Sequence, residues 1–268
     1  MFYVSVIYMD NAHLVIKIGK IKIKYRKSGY FFAILCRITK EIKLLIKIKS
    51  IKKPYIILPL GTYCFSRCIT TFNKLKPDKK HGEKTCPFDL AFFNNIDGII
   101  HLLNNNFEDF YDDLKYDSTH KYWTNNQIDA VFNHDGELSS AQFKERYNAR
   151  IKNFYNYLHK NCFKYIVISS HFKIMKNQAE KLVQALDKII ENDKYKIVII
   201  NQSKNFYTYN VQDKIFIINQ NHNTEKFNKI NCNGNWVGEL RRQTMPEAKI
   251  IFDEITTKLI DYIKATIQ

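Results

Sequence analysis

Glycine and proline are scarce in this 268-residue chain, at 8 and 5 residues, which excludes collagen-like and Gly/Pro-rich low-complexity classes. Arginine is scarce as well, with 7 Arg against 35 Lys. A polybasic protein that grips phosphates bidentately would favour Arg, so no nucleic-acid partner is expected. The longest apolar run near the N-terminus, residues 30–36, falls far short of the ~20 residues that span a bilayer. The opening MFYVSVIYMD has no positive leading segment and reaches Asp10 before any long apolar stretch. No targeting signal is read there, and the chain is expected in the cytoplasm. Six cysteines, at 36, 64, 68, 86, 162 and 232, are too few for a disulfide framework at this length. In a reducing compartment they are thiols, ligands or nucleophiles. The chain also lacks GxGxxG, GxxxxGK[ST], GxSxG and HExxH, so dinucleotide binding, P-loop hydrolysis, a serine-hydrolase elbow and a zincin are unsupported and no cofactor is expected.

What is present is a folding composition, 45% hydrophobic and 14% aromatic, with a formal charge of +16. That charge is uneven. Residues 1–53 hold 13 Lys or Arg against 2 acidic residues, +11, and residues 54–268 hold 29 against 24, +5. The chain divides on this basis into a basic N-terminal appendage, 1–53, and a main domain, 54–268.

Within the appendage, HLVIKIGKIKIKY (13–25) alternates Ile and Lys on both sides of Gly19, the period-two pattern of a β-ribbon. Phe31, Ile34, Leu35, Ile38, Ile42, Leu45 and Ile46 then recur at helical spacing among Lys and Arg. This basic amphipathic helix suits an anionic membrane surface, where each basic residue contributes ~1 kcal/mol. Packing on the main domain with a solvated Lys face explains the same pattern. In the main domain, YIILPLG (55–61) reads as a buried strand with a sharp exit and CFSRCITTFNKL (64–75) as a helix. Ile96, Ile99, Ile100 and Leu103 mark another helix. Ser139 and Gln142 suit a capping box for a helix carrying Phe143, Tyr147, Ile151, Phe154 and Leu158. Strands at 164–169, 195–201 and 214–219, a helix through Ala179–Ile190, and a last helix opened by Thr244 and Glu247 complete the pattern. Apolar strands alternating with amphipathic helices predict an α/β fold, with a Rossmann-like, mostly parallel sheet flanked by helices.

Cys64 follows a strand and a tight Leu60-Gly61 exit and opens a helix, a setting that lowers a thiol pKa and makes a nucleophile. A small buried hydrophobe in the first βα turn is the plain alternative. His134, at a strand end in AVFNHDGEL, is the candidate base, with Asp135 or Asp89 as orienter. Asp89 equally suits a helix N-cap. Arg146 and Arg150, one turn apart, and His171, at the carboxyl end of a parallel strand, are candidates for holding an anionic substrate group. The Arg pair suits equally a solvated face pairing with the acidic 108–113 segment. Cys64, Cys68, His81 and Cys86 have metal-type residues at C-x3-C-x12-H-x4-C, but no CxxC knuckle, and no metal is expected.

PLGTYC (59–64), CPFDL (86–90), the spaced phenylalanines of NFEDF (106–110), FNHD (132–135) and ERYNARI (145–151) occur in that order. Over residues 55–200 the chain thereby resembles a bacterial and viral family described as papain-like cysteine peptidases, a domain of unknown function with LGxxC, PFDW and HD motifs and a helix with paired Arg. Leu90 stands where that family has Trp, and Ser-Ser-His closes a strand where Arg is expected. The resemblance implies a Cys64 nucleophile, a His134 base and a supporting Asp89 or Asp135, and makes an α+β papain-like fold the alternative architecture. The Lys/Ile appendage is similar to short segments that precede catalytic domains in enzymes of lipopolysaccharide and capsule assembly. The functional expectation is a cysteine-dependent hydrolase or acyl-transfer enzyme acting on a peptide, glycan or small-molecule substrate. The alternative is a glycosyltransferase-like enzyme of surface-polysaccharide assembly, peripheral on the inner face of the membrane, with Arg146, Arg150 and His171 holding a nucleotide-sugar or phosphate group.

Overall fold

A computed structural model of the chain describes residues 4–8, 13–18, 21–26, 51, 53–77, 81–191, 193–203, 205–220 and 246–267. The chain separates into two compact units, residues 1–52 and 53–268. No helix among the described residues is long and apolar enough to cross a membrane.

The first unit contains a three-stranded antiparallel sheet, β1 (Val4–Tyr8), β2 (His13–Ile18) and β3 (Ile21–Arg26), in that order. Its register pairs Ile16 with Ile23, Ile18 with Ile21 and Lys17 with Lys22, which continues the Ile/Lys alternation across the strands. The expected ribbon is present, with β1 as an additional strand. The expected amphipathic helix at 31–47 lies outside the described residues.

The second unit is an α/β domain. Its parallel sheet follows chain order without reversal: β4 (Tyr55–Pro59), β9 (Phe163–Ser170), β10 (Tyr195–Asn201) and β11 (Ile215–Asn219). These strands read as near-continuous apolar runs because both faces are covered. On one face Tyr165 donates to the Ile263 carbonyl of the last helix, and Phe65 packs at 5.9 Å from Phe252. On the other, Ile166, Ile168, Ile197 and Ile199 enter the main hydrophobic core.

Five α-helices occur among the described residues: α1 (Phe65–Phe72), α2 (Asp97–Asn104), α3 (Ser140–Leu158), α4 (Lys176–Asp187) and α5 (Pro246–Ile267). The expected box at α3 is formed. Ser139 Oγ accepts the Gln142 N–H at 3.3 Å, and Gln142 Oε1 accepts the Ser139 N–H at 3.0 Å. Thr244 lies outside the described residues.

Between β4 and β9 the chain builds a second, antiparallel sheet in the order β5 (Phe92–Phe93), β8 (Ala130–Phe132), β7 (Tyr122–Asn125) and β6 (Leu114–Asp117). Its core is aromatic. Phe110 lies 5.7 Å from Phe132 and 5.3 Å from Tyr147, and Phe88 lies 5.4 Å from Phe154. The phenylalanines of CPFDL and NFEDF are therefore packing residues under α3, each burying on the order of 150–250 Å².

Two glycines shape the loops that leave these sheets. A Cβ at Gly61, just past β4, would lie 2.5 Å from Ser66 Oγ and 2.7 Å from the Tyr63 carbonyl oxygen. A Cβ at Gly136, just past β8, would lie 1.7 Å from the Lys121 carbonyl oxygen. At Gly136 the backbone alone blocks the added atom, and at Gly61 the Ser66 hydroxyl and the Tyr63 carbonyl block it together. Gly61→Ala and Gly136→Ala each lower stability by about 1–3 kcal/mol or more in urea unfolding. Ser66→Ala combined with Gly61→Ala recovers only part of the loss, because the Tyr63 carbonyl remains.

Candidate functional site

Cys64 is the N-cap residue of α1, at φ −67° and ψ 0°. It reaches that place because Leu60 and Thr62 extend the pairing with β9 beyond the strand. The Leu60 N–H donates to Val167 O at 2.9 Å and the Thr62 N–H to Ser169 O at 3.2 Å. The Thr62 carbonyl in turn accepts the Phe93 N–H at 2.7 Å, which joins β5 to the loop. Strand β5 pairs with β8, and β8 runs directly into the turn that carries His134. The two sheets are thus coupled through Thr62, and the thiol and the imidazole meet where they join.

The Cys64 thiol is hydrogen-bonded to the Cys68 thiol and to the His134 ring. Its pKa falls from about 9 to about 5. The Cys68 hydrogen bond contributes most. Burial opposes the fall, and the His134 hydrogen bond and charge and the Cys64 amide reinforce it. The His134 pKa moves up, led by the hydrogen bond to Cys64, against burial, and helped by the charges of Cys64 and Asp135. A depressed thiol beside a raised imidazole describes a thiolate–imidazolium pair. It sits at the helix terminus whose dipole favours negative charge.

Asp135 faces the helix instead of the imidazole. Its carboxylate takes Arg150 Nη1 at 2.8 Å and Nη2 at 3.2 Å, Arg146 Nη1 at 2.7 Å and the Tyr147 hydroxyl at 3.0 Å. Burial alone would raise its pKa, but Arg150, Arg146 and Tyr147 outweigh burial and hold it below the ordinary carboxylate range. Asp135 acts on His134 through space, by charge. Arg146 and Arg150 come together as expected, but their shared partner is Asp135, not the acidic 108–113 segment. Arg150 is buried, whereas the Arg146 side chain is 45% exposed. Both line a cleft of about 480 Å³ with His134, Asp135, Lys84 and Leu90.

Asp89 lies in a short 3-10 turn, Pro87–Asp89, fully buried. Its Oδ2 accepts the Cys86 N–H at 2.7 Å and stands 3.7 Å from Arg67 Nε of α1. Burial raises its pKa against the charges of Lys76 and Arg67. The structure thus places Asp89 as an anchor for its own turn and for α1. It is the last residue of that turn, whose N-cap is Cys86, and the following helix is capped at Ile96, so the N-cap expectation for Asp89 is corrected. His171 stacks on Tyr63, ring centroids 4.2 Å apart, and burial pushes its pKa down to about 4. A neutral imidazole supplies no positive charge to an anionic group, so its effect on the site is to brace the residue before Cys64. Among the described residues no group of three or more His, Cys, Asp or Glu side chains gathers as a metal site. Cys68, read from sequence only as part of a metal-type spacing, is the neighbour of Cys64 that sequence reasoning missed. The i, i+4 spacing to Cys64 is its signal.

The chain matches no protein-family profile, no curated protein and no solved structure.

Cys64 alkylation by iodoacetamide is expected to titrate near pH 5, leaving Cys64 the fastest-labelled described thiol between about pH 5 and pH 7. His134→Ala and Cys68→Ala each remove a group that stabilises the thiolate, so each moves that midpoint upward. Every unit of upward movement lowers the thiolate fraction on the acid side about tenfold. Arg150→Met strips a buried carboxylate of its bidentate partner. With Arg146 still in place, the loss in urea unfolding falls toward the lower end of about 3–5 kcal/mol.

Proposed function

We propose that this protein is a cysteine-dependent hydrolase or acyl-transfer enzyme, with Cys64 as nucleophile and His134 as its acid–base partner. The observation that carries the reading is the hydrogen-bonded Cys64–His134 pair at the N-terminus of α1, with the thiol depressed and the imidazole raised. The Cys64 thiolate attacks a substrate carbonyl, and His134 returns its proton to the leaving group, forming a thioester. His134, now neutral, takes a proton from water or from an acceptor hydroxyl or amine, which releases the acyl group. The tetrahedral oxyanion is accommodated by amides of the first turn of α1, at Phe65 and Ser66, which have no intrahelical partner. Thr62 does not contribute its amide, because that N–H is bonded to Ser169 O.

The cleft beside His134 supports an anionic substrate. Lys84, Arg146 and Arg150 outnumber Asp135 along its wall, and the half-exposed Arg146 retains donors beyond the one bonded to Asp135. The sugar-transferase reading has less support. It needs a charged His171 and a freely presented Arg pair, and the burial of His171 and the grip of Asp135 favour neither.

An activated acyl ester such as p-nitrophenyl acetate tests the proposal by intact mass. The expected result is an acetyl adduct on Cys64, absent in Cys64→Ala, with acylation near neutral pH slowed roughly 10²–10⁴-fold in His134→Ala. An adduct that survives Cys64→Ala, or an unchanged rate in His134→Ala, overturns it.

A further inference from the structure

A thiol–imidazole pair needs no second thiol, yet Cys68 follows Cys64 by one turn, its N–H bonded to the Cys64 carbonyl at 3.0 Å, and its side chain helps to lower the Cys64 pKa. The two cysteines stand one helical turn apart at the start of α1, and both are half-buried, which leaves access for a small molecule. Ideal helix geometry puts their Cα atoms about 6.2 Å apart, inside the range of about 4.4–6.8 Å that disulfides span. Cys64 is the N-cap residue, so turning its backbone costs only the first bond of the helical ladder, from the Cys68 N–H to the Cys64 carbonyl. Arg67, between them in sequence, is influenced by the charge of Cys68 and hydrogen-bonds Glu83 at 3.1 Å, so a fixed cation accompanies the second thiol. Cys86 differs on each count. It is buried beside Asp89, and burial pushes its thiol pKa up.

We propose that Cys64 and Cys68 form a dithiol site for hydroperoxides, in which Cys64 is oxidised and Cys68 closes the oxidised sulfur into an intrahelical disulfide. In the first step the Cys64 thiolate attacks the terminal peroxide oxygen. An S–O bond forms, the O–O bond breaks, and the departing alkoxide or hydroxide takes the proton of His134 and leaves as alcohol or water. Cys64 is now a sulfenic acid. In the second step the Cys68 sulfur attacks it, an S–S bond forms, and water leaves with the Cys68 proton. The two thiols have together supplied two electrons to one peroxide, and an external dithiol restores them by exchange. Cβ atoms at i and i+4 lie about 5–6 Å apart, and a disulfide needs about 3.5–4.5 Å, so the bridge tightens the first turn of α1. The inference does not depend on the acyl chemistry, since both thiols and the peroxide account for every atom.

The test is intact-mass and peptide analysis of the full chain after one equivalent of hydrogen peroxide. The expected product is lighter by two hydrogens and returns to its starting mass with dithiothreitol. Trypsin cuts after Arg67, so the peptides holding Cys64 and Cys68 stay joined only if the bridge exists. In Cys68→Ser the sulfenic acid has no resolving thiol. It is trapped by dimedone on Cys64, and with excess peroxide sulfinic acid accumulates about tenfold or more above the wild-type level. Equal sulfinic acid in both proteins, a bridge joining other cysteines, or no change in mass overturns the proposal, whether or not Cys64 also accepts an acyl group.

Discussion

Thr62 holds the two sheets of the α/β domain in one frame. Its N–H and its hydroxyl both donate to the Ser169 carbonyl of β9, and its own carbonyl accepts from Phe93 of β5. The residue is buried, and all these bonds lie in a medium where leaving one unmade costs about 1–3 kcal/mol. The Cys64 and His134 positions follow from this. One lies two residues beyond Thr62, and the other two residues beyond β8, which is paired with β5. The nucleophile–base geometry is therefore carried by main-chain bonds, with loop glycines admitting the close approach.

The charges near the pair are arranged to leave the imidazolium stable. Two guanidinium groups close to His134 would by themselves depress its pKa, and Arg150 does act in that direction. Asp135 cancels this effect by binding both, and its own charge favours the protonated ring. The acid in the His-Asp motif thus works without touching its neighbour, and its position on the strand-end turn, pointing to α3, is the one that allows it. A buried carboxylate of this kind is tolerable only because four donors reach it.

The parallel sheet was legible because strands covered on both faces are written as unbroken apolar runs, as in YKIVIIN, and the α3 boundary because Ser139 and Gln142 have a defined capping role. The antiparallel sheet was not. Its strands are two to four residues long, too short to show a period, and its stability comes from aromatic contacts such as Phe110 with Tyr147 that join distant segments. The strand Val4–Tyr8 was passed over because its pattern was weighed only as a leader. Cys64 and His134 stood out as reactive residue types at the ends of regular elements, and their meeting depends on a crossover no local pattern encodes. Cys68 was visible only as a spacing, and Asp89 and Asp135 both looked like orienters because sequence cannot say which way a carboxylate turns.

Net charge is a poor guide to this chemistry. The chain carries +16, but +11 belongs to residues 1–53, and the α/β domain places its ionised groups in compensated sets. Arg146 and Arg150 share Asp135, Arg67 and Lys76 meet Glu83, and Lys214 meets Asp187. Each set is local, and each is short-ranged next to the screening length of physiological salt, about 8 Å. What tunes Cys64 is accordingly not the surrounding field of a basic protein. The hydrogen bonds from Cys68 and His134, the charge of the adjacent imidazole and the Cys64 amide do so, and these are all immediate neighbours of the sulfur.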